Sequence, residues 1–325
     1  MTGIMIASLR LLGLAFLIGN TALAQAQVYP AKLVRILVPS AAGAPPDTMA
    51  RAMAPLLQQA LGQPFVVENR VGANGIVGME AFFRSAPDGY TLLVVNGAPI
   101  TLNPFFYTKL SYDPRELQPI INIGVIAASI VEHASVPANS FKELIEMARQ
   151  KPDTVIWANW GSGSFPDLYR AWAQNTFGVV FRDVPYKTPD QAMTALVAGE
   201  VQVLLNTPGL FAPQVKAGKL KPLATIGPRR SPHLPDTPSF SELGLDLDFR
   251  GWVGSFAPPG TPRDIVQKMN AEMGRLVADP AFTGKFLTPA SVEAVGGTPE
   301  DFAAFLKKDR ETAARLTKLA DVKPQ

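Results

Sequence analysis

The sequence predicts an α/β protein built as two lobes. Three observations carry this. Apolar runs of strand length alternate with helix-period patterns from Leu33 to Asn96, and a second alternation of the same kind resumes after Ile120. A stretch rich in proline and turn residues, "GPRRSPHLPDTPSFSELG" from Gly227 to Gly244, then breaks the pattern before one more strand and two helices. With 325 residues, 47% of them hydrophobic, the chain can hold two domains of ordinary size.

The first 27 residues, "MTGIMIASLRLLGLAFLIGNTALAQAQ", hold one charge, Arg10, then an apolar run from Leu11 to Gly19 and small residues at Ala22, Ala24 and Ala26. This is the layout of a secretory signal peptide over residues 1–26, cut after Ala26. The apolar run is short for a membrane span of about 20 residues. An exported, soluble mature chain is expected.

"LVRILVP" reads as a buried strand, and in the helix after it Met49, Met53, Leu56, Leu57 and Leu61 share one face. Gly62 stands where a helix C-terminal glycine belongs. "FVVEN" and "TLLVVN" read as strands, with a helix over about 74–85 between them and "PDGY" as a turn. This βαβαβ order implies a parallel sheet covered on both faces.

In the second alternation "INIGVIAASIVEHA", "TVIWAN", "FRDVPY", "VQVLLN" and "LKPLATIG" supply strand-length runs. Ser140–Glu143 and Thr188–Gln191 read as capping boxes that open helices. "DLYRAWAQNTF" and the region of "LFAPQVKAG" are helical. "RGWVGSFAP" is one more strand, and Thr261-Pro262 and Thr298-Pro299 open the last two helices, with Phe302, Phe305 and Leu306 on an early apolar face. The expected division is residues 27–124 with 228–325 as lobe 1 and 125–227 as lobe 2, hinged near 124 and 228.

Several functions lack their raw material. There is no cysteine, and His133 and His233 are the two histidines, so thiolate metal sites, zinc sites and His-based triads are not expected. A net charge of +3 with no Lys/Arg block gives no nucleic-acid footprint. Gly72, Gly75 and Gly78 miss the G-x-G-x-x-G spacing, and neither a Walker A sequence nor a G-x-S-x-G elbow occurs. No cofactor and no catalysis are expected.

Two loops remain, "PSAAGAPPD" from Pro39 to Asp47 and "ANWGSGSFPD" from Ala158 to Asp167. Each follows a buried strand and opens a helix. Ligands of open α/β sheets bind at the carboxyl ends of strands, and helix N-termini favour anions. Two such loops, one per lobe, can close on a small carboxylate. The alternative is an ordinary strand-to-helix connection in which Asp47 and Asp167 only cap. Pro45 and Pro46 deprive the first loop of donors.

The blocks "YPAKLVRILVPSAAG", "LGQPFVVENRVGANG", "APDGYTLL", "DVPYK", "AGKLKPLA" and "GGTPEDFAAFLKKD" resemble, in order and spacing, the Bug-type extracytoplasmic solute receptors of tripartite tricarboxylate transporters. The resemblance covers essentially the whole mature chain. It implies a periplasmic "Venus flytrap" of type II-like topology, each lobe a mixed sheet flanked by helices. Such a protein binds a small organic acid and delivers it to inner-membrane transporter subunits, as a monomer without cofactor. The implied ligand contacts are Ser40, Ala41, Ala42, Gly43 and Asp47 in the first loop and Trp160, Gly161, Ser162, Gly163, Ser164, Phe165 and Asp167 in the second. Asn96, Tyr186 and Asn206 complete the set.

This chain departs from the family pattern at Ala44, Pro45 and Pro46, where glycines and a threonine are common. It departs again at Asn159, Trp160, Phe165, Pro166 and Asp167, and at Asn206, where an aspartate is usual. Trp160 and Phe165 suggest a sandwich for an aromatic acid, with Asp167 able to receive an amine of a zwitterionic ligand. The rival readings are a sensor that feeds a signalling partner and a hydrolase with Ser162 or Ser164 as nucleophile.

Overall fold

The computed structural model describes residues 29–324, so the expected signal peptide and its cleavage site lie outside the described residues. The first alternation comprises β1 (Val34–Val38), α1 (Pro45–Leu61), β2 (Phe65–Asn69), α2 (Ile76–Phe83) and β3 (Thr91–Asn96), followed by the short helix α3 (Asn103–Phe106) and β4 (Gln118–Ile126). The second comprises β5 (Ser129–His133), α4 (Phe141–Gln150), β6 (Ile156–Asn159), α5 (Phe165–Phe177), β7 (Arg182–Pro185), α6 (Pro189–Ala198), β8 (Val203–Asn206), α7 (Pro208–Lys216) and β9 (Leu220–Thr225). The chain finishes with β10 (Trp252–Ala257), α8 (Arg263–Ala278), β11 (Val292–Gly296) and α9 (Pro299–Leu319). No helix among the described residues is long and apolar enough to cross a membrane.

The strands form two sheets, ordered β11-β4-β10-β3-β1-β2 and β7-β6-β8-β5-β9. β1 pairs parallel with both β2 and β3, as the βαβαβ pattern requires. The first sheet is nonetheless mixed, because β10 inserts antiparallel between β3 and β4. In the second sheet β6 runs parallel to β7 and β8, while β5 is antiparallel to β8 and β9. The single apolar run 121–134 therefore splits. Its first half is β4 in one sheet and its second half is β5 in the other, joined through Ala127 and Ala128.

Local signals explain the helix ends. Met49, Met53 and Leu57 of α1 are fully buried, and Leu56 and Leu61 flank them half-buried. The helix stops at Gly62, whose left-handed φ of 71° lets its N–H reach the Gln58 carbonyl. α2 begins at Ile76 rather than Asn74, because Ala73 and Asn74 adopt positive φ in a tight turn. At Ser140 and Thr188 the hydroxyl accepts the expected amide, from Glu143 and Gln191. The return bonds go one residue further back, to the amides of Asn139 and Lys187. The complete capping box is Thr298–Asp301, at the start of α9.

Two features differ from the expected division of the chain. Residues 228–249 pack with the second sheet: Phe240, Leu247 and Phe249 share a core with Tyr169 and Trp172. The chain returns to the first sheet only at β10. The last helix, α9, belongs to both halves. Phe302 and Leu306 sit in a core of the first sheet, and Ala313 and Leu316 in the core of the second. Midway, buried Asp309 accepts the Trp252 indole N–H at 2.8 Å. Beside the crossover, Arg250 bonds both Asp248 and Glu293. β11 is an addition to the expected elements; it is a half-exposed edge strand too short for its pattern to register.

Candidate functional site

The two loops are the same device built twice. In the first, the Gly43 amide donates to Asp47 Oδ2 at 2.8 Å, the Ala44 amide to the Ala41 carbonyl at 3.2 Å, and the Thr48 amide to the Ala44 carbonyl at 3.0 Å. In the second, the Gly163 amide donates to Asp167 Oδ2 at 2.9 Å, the Ser164 amide to the Gly161 carbonyl at 3.1 Å, and the Leu168 amide to the Ser164 carbonyl at 2.9 Å. Gly43 and Gly163 both carry positive φ, 85° and 75°, which a side chain would strain. Each loop leaves the carboxyl end of a parallel strand, β1 or β6, and enters a helix with proline at its second position.

The two aspartates take the bracing arrangement, the alternative to ligand contact. Both are buried and turned inward as braces. Asp47 binds Gly43, Arg51 and Asn69, and Asp167 binds Gly163 and Arg170. Burial alone would raise the Asp47 carboxyl, but the Gly43 amide, Arg51 and Asn69 together hold it below the usual carboxylate range. Neither carboxylate is free to receive a ligand amine. The amides of Gly43, Gly161 and Gly163 are likewise engaged, Gly161 with the Asn159 side chain at 2.7 Å.

The amides of Ser40, Ala41 and Ala42 in the first loop and of Trp160 and Ser162 in the second have no hydrogen-bond partner among the described residues. The first helical position adds a difference between the loops. Phe165 keeps an N–H there, and Pro45 has none. Ser164 adds a hydroxyl oxygen that is buried without a hydrogen-bond partner among the described residues.

A cavity of about 390 Å³ opens on the second loop. Trp160, Ser162, Ser164 and Phe165 form one wall. Leu102, Phe106 and Tyr107 face them from the segment after β3, and Asn74 from the turn before α2. Val322 and Lys323, which follow α9, close a third side. Phe106 comes so close that a Cβ added at Gly163 would stand 2.5 Å from its ring. Phe165 is not half of a free sandwich, since its ring stacks on Phe249 at 5.2 Å between centroids. Trp160 packs its inner face on the Leu204–Phe211 core and offers the rest to the cavity. A second concavity of about 380 Å³, beside Arg115 and Arg310, touches neither loop.

The other expected contacts lie elsewhere. The first loop does not line this cavity, although its Pro39 packs on Gly75, next to Asn74. Asn206 is buried at the end of β8, where its Oδ1 accepts the Thr207 amide. Tyr186 packs on the same core as Trp160 but borders a separate concavity with Asp190 and Glu200. Asn96 is half-buried at the end of β3. Phe106, Tyr107 and Lys323 carry no motif, and only the folded chain brings them to the second loop.

A model of the tripartite tricarboxylate transporter family receptor matches residues 49–321. The chain belongs to that family. The receptor is 30% identical over 309 residues to protein BugT of Bordetella pertussis, covering 92% of this chain and 94% of the relative. It also resembles two solved structures at 26% identity. One is Rpa4515 of R. palustris with adipate (TM-score 0.73, covering 91% of this chain and 100% of that one). The other is MatC of Rhodopseudomonas palustris with bound malate (TM-score 0.68, covering 90% and 100%). The two-lobed α/β architecture and the solute-binding function of the receptor are those of periplasmic binding proteins.

His133 pairs with Ser135 and His233 with the Thr288 carbonyl, so neither histidine serves Ser162 or Ser164 as a base.

Proposed function

We propose that this receptor is exported by residues 1–26, captures a small organic acid between its lobes, and presents it to inner-membrane transporter subunits. The observation that carries the reading is the cavity lined from both halves of the chain, by Leu102, Phe106 and Tyr107 on one side and Trp160 to Phe165 on the other. Ser162, Ser164 and Phe165 line it at the N-terminus of α5, which adds partial positive charge. The adipate and malate of the two solved relatives support a carboxylate as ligand.

The lobes in this reading are residues 29–126 with 251–308, and 127–250. The hinges are Ala127–Ala128 and Arg250–Gly251, and α9 is a third strap across them. The working unit in this reading is a monomer, in keeping with a cavity whose lining comes from one chain. Titration calorimetry against mono-, di- and tricarboxylates, with sugars and cationic amines as controls, tests the proposal. One-to-one binding of at least one acid is expected. Binding of a control with no response to any acid would overturn it.

A further inference from the structure

Helix α7 carries no cap of its own. The side chain of its N-cap residue, Thr207, caps no amide, and Pro208 at the first helical position has no N–H to give. The next amide, that of Gly209, donates to the Ser291 hydroxyl oxygen at 3.0 Å. Ser291 immediately precedes β11 and so belongs to the other sheet. We infer that Ser291 is a positioning residue of the ligand cleft. It caps α7 across the lobe boundary and holds the two lobes, and with them the walls of the cavity, at their present angle. This goes beyond the organic-acid reading and is independent of which acid is carried.

The hydroxyl is held from behind. Ser291 is buried, and its backbone takes a left-handed φ of 54°, uncommon for a residue with a side chain. Its amide donates to the Thr288 carbonyl at 2.9 Å, and its carbonyl accepts the Ala127 amide at 2.8 Å, where the chain passes from β4 to β5. The side chain thus leaves a fixed frame beside that crossing. Space on the α7 side matches it. Glycine weakens a helix relative to alanine, and the φ of Gly209 is not a positive one that would require it. Ser291 does require it. A Cβ at position 209 would stand 2.4 Å from the Ser291 hydroxyl oxygen, while the next atoms are 3.8 Å away.

α7 is also a helix for which one external bond matters. It spans nine residues, and Pro213 withholds the amide that the Gly209 carbonyl would otherwise receive. Its Phe211 is fully buried in the cluster on which Trp160 packs, so the place of α7 is passed on to a wall of the cavity. When the lobes part far enough to break the contact, the Gly209 amide and the hydroxyl both return to water. The difference between the two arrangements is then that of an ordinary helix cap.

The test uses the whole mature receptor. The chain has no cysteine, so two introduced ones carry spin labels without background. Val71 and Lys187 are exposed and lie just beyond β2 and β7, the edge strands farthest in each sheet from the crossing at Ala127. Val71→Cys with Lys187→Cys reads the interlobe separation by double electron–electron resonance. Lys151→Cys with Lys187→Cys, both in the second lobe, is the control pair. Ser291→Ala should raise the share of longer interlobe separations roughly fivefold over the parent, equivalent to about 1 kcal/mol, the ordinary worth of a hydroxyl cap. The control pair should not move. Gly209→Ala, whose methyl displaces the hydroxyl, should give the same shift, and the double variant no more than either single one. An interlobe distribution unchanged in Ser291→Ala overturns the inference. So do additive shifts from the two substitutions, or a control pair that moves with the interlobe pair. If the shifts appear as expected but calorimetry finds no acid bound, the positioning role stands and the organic-acid reading fails.

Discussion

Replacing Asp167 by Asn tests whether the aspartates brace the loops or touch the ligand. The Asp167 carboxylate is buried, with Oδ2 accepting the Gly163 amide at 2.9 Å and Oδ1 accepting Arg170 at 2.6 Å. Hydrogen bonds to a charged group contribute about 1.5–3 kcal/mol each. An asparagine keeps one acceptor and must turn its NH2 toward the other donor. One charged bond is lost and the second becomes neutral. Arg170 keeps Gln174 at 3.0 Å and a longer contact with Asp183 at 3.5 Å. The net cost is about 2–4 kcal/mol, a fall in Tm of roughly 4–10 °C for a chain of this size. Differential scanning calorimetry reads it. Ligand affinity should fall for every acid alike, because the whole turn that presents Ser162 loosens. An unchanged Tm, with loss confined to amine-bearing ligands, would refute the bracing role.

Gly163→Ala should destabilise the receptor and widen the cleft, because it combines a left-handed φ with a Cβ 2.5 Å from the Phe106 ring; a cost of about 1–3 kcal/mol in chemical denaturation is expected. Trp160→Phe should abolish most of the ligand-induced fluorescence change, since Trp157, Trp172 and Trp252 are buried and Trp160 alone of the four lines the cavity. Stability should also depend on pH through Glu132, which burial pushes up to about 7 against the opposing pull of Lys221 at 3.0 Å. Its folded pKa lies above the unfolded value of about 4.3, so the folded state binds the extra proton and stability falls as pH rises from about 4 to 7, by up to ~3 kcal/mol. Glu132→Gln should flatten the unfolding free energy over that window, and an unaltered slope would count against the shift. Asp47 has the opposite sign. Its lowered pKa means that its contribution is present above about pH 4 and lost as pH falls through the folded value.

Much of the fold is legible because short-range physics sets it. Gly62 ends α1 through its own φ, and the apolar face of Met49, Met53 and Leu57 needs only helical spacing. The loops were placeable from the same alternation, since each lies between a buried strand and a helix. What they do was harder to read. Asp47 and Asp167 look alike as ligand contacts or as braces until the amides of Gly43 and Gly163 are seen to point at them. The point of return to the first sheet is hard to read for a related reason. Phe240, Leu247 and Phe249 follow no period, so nothing local says which core receives them. α9 shows one continuous apolar stripe, yet the stripe serves two cores in succession. The cavity wall is the least legible part. Phe106 and Lys323 stand far from the second loop in sequence and meet it only through tertiary packing.

The most direct test is the identity of the molecule the receptor carries. Protein made in its native host is purified without added ligand and denatured, and the released small molecules are identified by mass spectrometry. The account predicts a stoichiometric organic acid whose readdition to refolded protein restores the native thermal stability. Release of a neutral sugar or a cationic compound in that position would contradict it.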